Sequence, residues 1–259
     1  MRPFVKILAS ISVILIYLLA AALITILPAG ARLRRRYLTR NCSFASRILL
    51  AILEVRVHAR HPERLRGKKA GVLVVANHVS YVDILVIASL MPSVFITSME
   101  LGATPLLGLL ARMGGSVFVE RRKAFGLKKE IAAIAGLLEQ GFAVVLFPEG
   151  TTSNGERVRS FKNSLFDSAA AAHTPILPLC LRYTRINHGP VTASNRDSVF
   201  YYGGATFAGH FPKFVRLTSV DVRVMPLKTI IARGETSRKE LALEAHEAIS
   251  VAYERAAEA

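Results

Sequence analysis

His78 and Asp83 stand five residues apart in Asn77-His78-Val79-Ser80-Tyr81-Val82-Asp83, directly after an apolar run. An imidazole of ordinary pKa is mostly neutral at pH 7 and can take a proton. A carboxylate one tight turn away fixes its tautomer and stabilises the imidazolium that results, so the pair is a candidate general base. A simpler use also fits. Ser80-Tyr81-Val82-Asp83 has the form of a capping box, in which Asp83 serves only the start of a helix.

Three further clusters adjoin or open apolar runs. Residues 147–153 read FPEGTTS, with Glu149 as an acceptor, hydroxyls on Thr151 and Thr152, and Gly150 letting the backbone approach a ligand closely. Residues 118–122 read FVERR, and a guanidinium at a strand end suits bidentate phosphate binding. Residues 175–179 read PILPL, which on its own is the entry to a buried strand. P-loop, G-x-G-x-x-G, H-E-x-x-H, C-x-x-C and G-x-S-x-G patterns do not occur, which removes the common nucleotide, zinc and serine-hydrolase signatures.

The elements that must position these groups alternate along the chain. Strands are expected at residues 71–77, 93–97, 116–120, 143–148, 176–183, 199–202 and 220–224. Helices are expected at 81–90, 105–113, from Leu127 past Leu138, and at 163–172. A last helix opens at a capping box, Ser237 to Glu240, and carries Leu241, Ala245, Ile249 and Ala252 on one face. This order predicts an α/β fold, a mixed and largely parallel sheet flanked by helices, preceded by an N-terminal hydrophobic membrane helix. In open sheets of this kind ligands bind at the carboxyl ends of the strands, where the clusters at 77–83, 118–122 and 147–153 fall.

Residues 7–27 carry no charge, and a helix of that length is about 30 Å long, the thickness of a bilayer core. Arg2 and Lys6 precede it, and Arg32, Arg34, Arg35, Arg36 and Arg40 come after it. The heavier basic flank puts the body on the cytoplasmic side of the inner membrane. A cleaved signal peptide is the rival reading, since Ala29-Gly30-Ala31 resembles a cleavage site, but the stretch is long and arginines come at once. A third reading is a helical hairpin lying in the interface, with residues 44–57 as its second arm. The expected division is residues 1–57 as a membrane-anchoring helical segment and 58–259 as the catalytic domain.

Composition narrows the partners. There are 34 Lys+Arg against 18 Asp+Glu, a net charge of +16, in a chain that is 52% hydrophobic. An anionic ligand or an anionic bilayer surface satisfies that balance. Two cysteines exclude a disulfide framework, and no tryptophan with 8% aromatics leaves little for nucleic-acid stacking.

Taken together, the four clusters resemble the motifs of the glycerolipid acyltransferase family that includes the 1-acylglycerol-3-phosphate acyltransferases. His78 and Asp83 match its His-x-x-x-x-Asp, and Val119-Glu120-Arg121 matches its second motif. Residues 147–151 match Phe-Pro-Glu-Gly-Thr letter for letter, and residues 175–179 match the proline-bearing strand. One departure stands out: many members continue Phe-Lys-Lys-Gly where this chain has Phe161-Lys162-Asn163-Ser164. Residues 195–211 are similar to a branch containing lyso-ornithine lipid acyltransferases.

The resemblance implies an O-acyltransferase that moves a fatty acyl group from acyl-CoA or acyl carrier protein to a lysolipid hydroxyl. Lysophosphatidate is the first expectation for the acceptor and lyso-ornithine lipid the alternative. His78 would be the base and Asp83 its partner. Arg121, Glu149, Gly150, Thr151 and Lys162 would bind substrate, with backbone N–H groups near Gly150 and Thr151 for the oxyanion. No bound cofactor, metal or nucleic acid is implied. A catalytically silent lipid-binding scaffold on the same fold, and a membrane-tethered nucleic-acid binder, remain the readings from other classes.

Overall fold

A computed structural model describes residues 1–65, 71–120, 126–231 and 236–258. Eight strands form one sheet in the order β1-β8-β6-β2-β5-β3-β4, with β7 paired to β6. They are β1 (Val55–Ala59), β2 (Val72–Ala76), β3 (Ser93–Ser98), β4 (Val117–Val119), β5 (Ala143–Leu146), β6 (Ile176–Ile186), β7 (Gly189–Pro190) and β8 (Val220–Pro226). All pairings are parallel except β6 with β7 and β6 with β8. The expected mixed, largely parallel α/β sheet is the observed one.

β2 is central because its five residues are apolar on both faces. Val72, Val74 and Ala76 enter one core and Leu73 and Val75 the other, none more than 2% exposed. The first core is covered by α1 (Pro3–Ile26), α2 (Ala31–Ile52), α3 (Val82–Leu90) and α8 (Phe207–Val215). The second lies under α6 (Leu127–Glu139), α7 (Asp167–Ala171) and α9 (Arg238–Glu258). Two short helices, α4 (Met99–Gly102) and α5 (Pro105–Met113), link β3 to β4. The capping box of α9 forms as expected: Ser237 N–H donates to Glu240 Oε2 at 2.8 Å and Glu240 N–H to Ser237 Oγ at 3.3 Å.

Three expectations about the elements are corrected. Residues 199–202 form no strand. Their apolar run plugs the end of the sheet instead, with Val199 and Phe200 buried and Tyr201 N–H donating to the Val79 carbonyl. Residues 163–172 make a 3-10 turn and the short α7 rather than one helix. The run 44–57 is not one arm, because α2 begins at Ala31, takes in the arginine cluster, and gives way to β1 at Val55. α8 went unread in the sequence because Pro212 lies inside it.

α1 and α2 form a hairpin docked on the α/β body. α1 is long and apolar enough to cross a membrane. It is also tied down along its length. Lys6 Nζ, fully buried, donates to the Leu217 carbonyl at 2.7 Å and lies 3.4 Å from Glu54 Oε2. Tyr17 donates to the Leu110 carbonyl at 2.9 Å, and Asn41 donates to the Tyr17 carbonyl. Its other side exposes Phe4, Leu8, Ile11, Leu15, Leu19 and Ile26.

Candidate active site

The site begins where β2 ends. Asn77 clamps the neighbouring strand: its amide donates to the Leu181 carbonyl at 2.9 Å and accepts from Leu181 N–H at 2.8 Å. That clamp fixes how far β6 runs alongside β2, and so where Tyr183 falls. The chain then turns through His78, Val79 and Ser80 into α3, with Ser80 Oγ donating to the Val199 carbonyl at 2.7 Å.

Asp83 is fully buried and four donors converge on it. Oδ2 accepts from His78 Nδ1 at 2.9 Å, Val79 N–H at 2.8 Å and Ser80 N–H at 3.0 Å; Oδ1 accepts the Tyr183 hydroxyl at 2.7 Å. The two readings of Asp83 therefore coexist. It caps the turn into α3 and holds the imidazole with Nδ1 as the donor. His78 is stacked on Phe147, ring centroids 4.0 Å apart, and is only partly covered. Its Nε2 has no partner among the described residues, so an imidazole held on one nitrogen presents the other as a proton acceptor.

Phe147 brings in the Phe-Pro-Glu-Gly-Thr motif, at the end of β5 beside β2. Glu149 is buried, and both oxygens accept backbone N–H groups: His78 at 2.7 Å on Oε1 and Arg159 at 3.1 Å on Oε2. Burial pushes its carboxyl up to about 7 and the charge of Asp83 adds to this, while the two backbone hydrogen bonds oppose it. Glu149, read from the sequence as a substrate contact, here spans the two loops of the site. Ser153 N–H closes the same junction by donating to the His78 carbonyl at 3.0 Å.

Gly150 adopts φ +78°, a left-handed turn that glycine takes without strain, and its N–H donates to the Phe147 carbonyl at 3.1 Å. A Cβ there would stand 2.9 Å from Lys162 Nζ, so the lysine side chain lies over the turn. Thr151 is exposed, and its N–H is without a partner among the described residues. Lys162 is exposed too, and its N–H donates to the Pro148 carbonyl at 2.9 Å. The structure thus gathers His78, Asp83, Glu149, Gly150, Thr151 and Lys162 around one junction. Arg121 lies outside the described residues.

Tyr183 escaped the sequence reading. The available signal was a phenol inside a buried apolar strand, since such a hydroxyl ordinarily has a hydrogen-bond partner. Its pKa is raised well above the ordinary value by burial, with the Asp83 charge adding to the effect.

A His–Asp pair whose second ring nitrogen has no partner among the described residues thus lies at the carboxyl end of a largely parallel sheet, in the turn between β2 and α3. The fold is that of the 1-acyl-sn-glycerophosphate acyltransferase PlsC from Thermotoga maritima. The likeness has a TM-score of 0.70 at 20% identity and covers 98% of this chain and 96% of that one. The model of the acyltransferase family matches residues 54–182. The chain is 35% identical over 214 residues to a lyso-ornithine lipid O-acyltransferase of Rhizobium meliloti, covering 80% of this chain and 71% of that protein. It is 32% identical over 226 residues to a protein of the same name from Pseudomonas aeruginosa, covering 87% and 80%. A 1-acyl-sn-glycerol-3-phosphate acyltransferase of Neisseria gonorrhoeae is 39% identical over 113 residues, 44% of each chain. The chain belongs to the acyltransferase family, and it is an enzyme of that kind.

Proposed function

We propose that this enzyme acylates the hydroxyl of a lysolipid at a membrane surface, with His78 as the general base. One observation carries the reading: His78 Nδ1 is engaged by a buried carboxylate while Nε2 has no partner among the described residues. Nε2 takes the proton of the acceptor hydroxyl as its oxygen attacks the thioester carbonyl. The tetrahedral intermediate collapses, the C–S bond breaks, and the imidazolium returns its proton to the departing thiolate. Both substrates sit side by side, so proximity replaces an acyl-enzyme. Of the two backbone donors expected for the oxyanion, Gly150 N–H is committed to its own turn, which leaves Thr151 N–H for that role. Glu149 braces the His78 loop, and Lys162 supplies a cation over it. Arg121 keeps the acceptor-anchoring role that the resemblance implies for it.

For the acceptor we place lyso-ornithine lipid before lysophosphatidate. The relatives of that name match over 80% and 87% of this chain, whereas the glycerophosphate acyltransferase match spans 44%. The donor is an acyl thioester of coenzyme A or of acyl carrier protein. The docked hairpin supports a position on the bilayer rather than through it, since crossing would drag the partners of Lys6 and Tyr17 into the hydrocarbon. Its exposed apolar side would enter the interface, with the arginines at the start of α2 near anionic headgroups.

The test is thiol release from an acyl thioester in the detergent-solubilised full chain, with each acceptor offered separately and the lipid product identified. Acceptor-dependent transfer that collapses in His78→Ala supports the proposal. Equal rates in both proteins would remove His78 as the base.

A further inference from the structure

On the α9 side of the sheet, away from the hairpin, a cavity of about 350 Å³ opens between β8 and the last turns of α9. Its wall is aliphatic, made by Met225, Leu227, Val251 and three alanines of α9, and Val251 is exposed there. Three arginines from three separate elements reach it: Arg60 just past β1, Arg223 on β8 and Arg255 on α9. None of the three forms an ion pair or a side-chain hydrogen bond among the described residues. Asp221, two residues before Arg223 on β8, is taken by His58 at 2.8 Å, and a fourth arginine, Arg64, donates to the Pro226 carbonyl at 3.3 Å.

Three guanidinium groups with no ionic partner among the described residues repel one another around one cavity, and aliphatic wall left in water adds to the cost. A single ligand removes both costs if it combines a group of about two negative charges with an apolar tail. A carboxylate would leave most of the positive charge unmatched, whereas a phosphate monoester offers three acceptor oxygens to guanidinium forks. The volume lies in the ordinary range for small-molecule sites.

We propose that this cavity binds a phosphate monoester carried on an aliphatic chain, a lysophospholipid-like dianion, at a site separate from the His78–Asp83 centre. The inference rests on the cavity alone and stands apart from the acceptor assigned to the catalytic site.

The test uses the full chain in neutral phosphatidylcholine nanodiscs, with empty nanodiscs as the blank, titrated calorimetrically with decyl phosphate. Saturable binding is expected. It should weaken at least tenfold in the Arg223→Gln, Arg255→Gln double variant, and likewise in Ala252→Phe, which fills the cavity and keeps the charges. Inorganic phosphate lacks the tail, and decanoate lacks the second charge; each should bind at least tenfold more weakly than decyl phosphate. Either one binding as tightly would overturn the proposal, as would unchanged binding in the double variant. Should the double variant melt early, Arg255→Gln alone, on an exposed helix surface, must still weaken decyl phosphate binding severalfold.

Discussion

The phenol of Tyr183, in the middle of a buried strand, donates a 2.7 Å hydrogen bond to the one oxygen of Asp83 that His78 does not use. The carboxylate is thereby fixed from both ends, and the imidazole inherits its orientation. Tyr183→Phe keeps the ring against Phe200, 5.6 Å between centroids, and removes only the donor. It leaves a buried acceptor one bond short, so thermal unfolding should show a loss of about 1–3 kcal/mol. The maximal rate should fall about tenfold with little change in KM, and the pH–rate profile should move, which a merely structural tyrosine would not produce.

Asp83→Asn tests the orientation of the imidazole. An amide can turn its NH2 toward Nδ1 and select the wrong tautomer, so the rate should drop by a factor on the order of 10³ to 10⁴. Steady-state rates beside a binding measurement with the lysolipid decide it. An equal loss in both would make Asp83 a folding residue only.

Glu149 makes stability depend on pH in a stated direction. Its carboxyl is raised from an ordinary 4.5 to about 7, chiefly by burial. Below the unfolded value both states hold the proton. Between pH 4.5 and about 7 the unfolded chain releases it first, so stability declines with rising pH across that window and levels off above it. Melting curves from about pH 4 to 8 should show this slope in the wild type and lose it in Glu149→Gln. That variant should also melt lower throughout, because an amide NH2 would face a backbone N–H.

Gly150→Ala separates strain from crowding. The Cβ would press on the flexible end of Lys162, which can move, whereas φ +78° is unfavourable for any residue with a side chain. A loss of about 1–2 kcal/mol in stability is expected. Gly150→Asn, which tolerates the left-handed region better, should recover part of it.

The outward side of α1 should carry surface binding. Replacing Ile11, Leu15 and Leu19 by Gln touches no buried group, so the melting temperature should hold. Sedimentation with vesicles should fall at least tenfold. Unchanged sedimentation would leave the arginines at the start of α2 as the attachment.

Strands β2 to β6 and β8 and the two polar turns were legible because buried strands of such a sheet are short continuous apolar runs, with ligands bound in the loops just beyond their carboxyl ends, whereas β1 and β7 went unread. His78, Asp83 and Glu149 could be named for that reason. The job of Glu149 could not: whether its oxygens meet a ligand or the backbone depends on how the 150–160 loop folds back, and only then does Arg159 N–H arrive. Tyr183 was hidden because its partner lies a hundred residues away, reached through the Asn77 clamp. Residues 199–202 have the composition of a strand, yet the tertiary structure spends their apolar side chains on sealing the turn after His78.

The hairpin and the catalytic turn share one core. Leu50 and Leu53, at the end of α2 and just beyond it, belong to the same buried cluster as Val82, Val86 and Ile87 of α3, and Arg47 donates to the Ser89 carbonyl at 2.8 Å. α3 carries Asp83 in its first turn. Removing residues 1–52 would therefore strip the outer wall from the helix whose Asp83 orients His78. What looks like a detachable mooring is part of the machine's frame: cutting the hairpin away, unlike replacing its outward side chains, would take the support of the His78 turn with it.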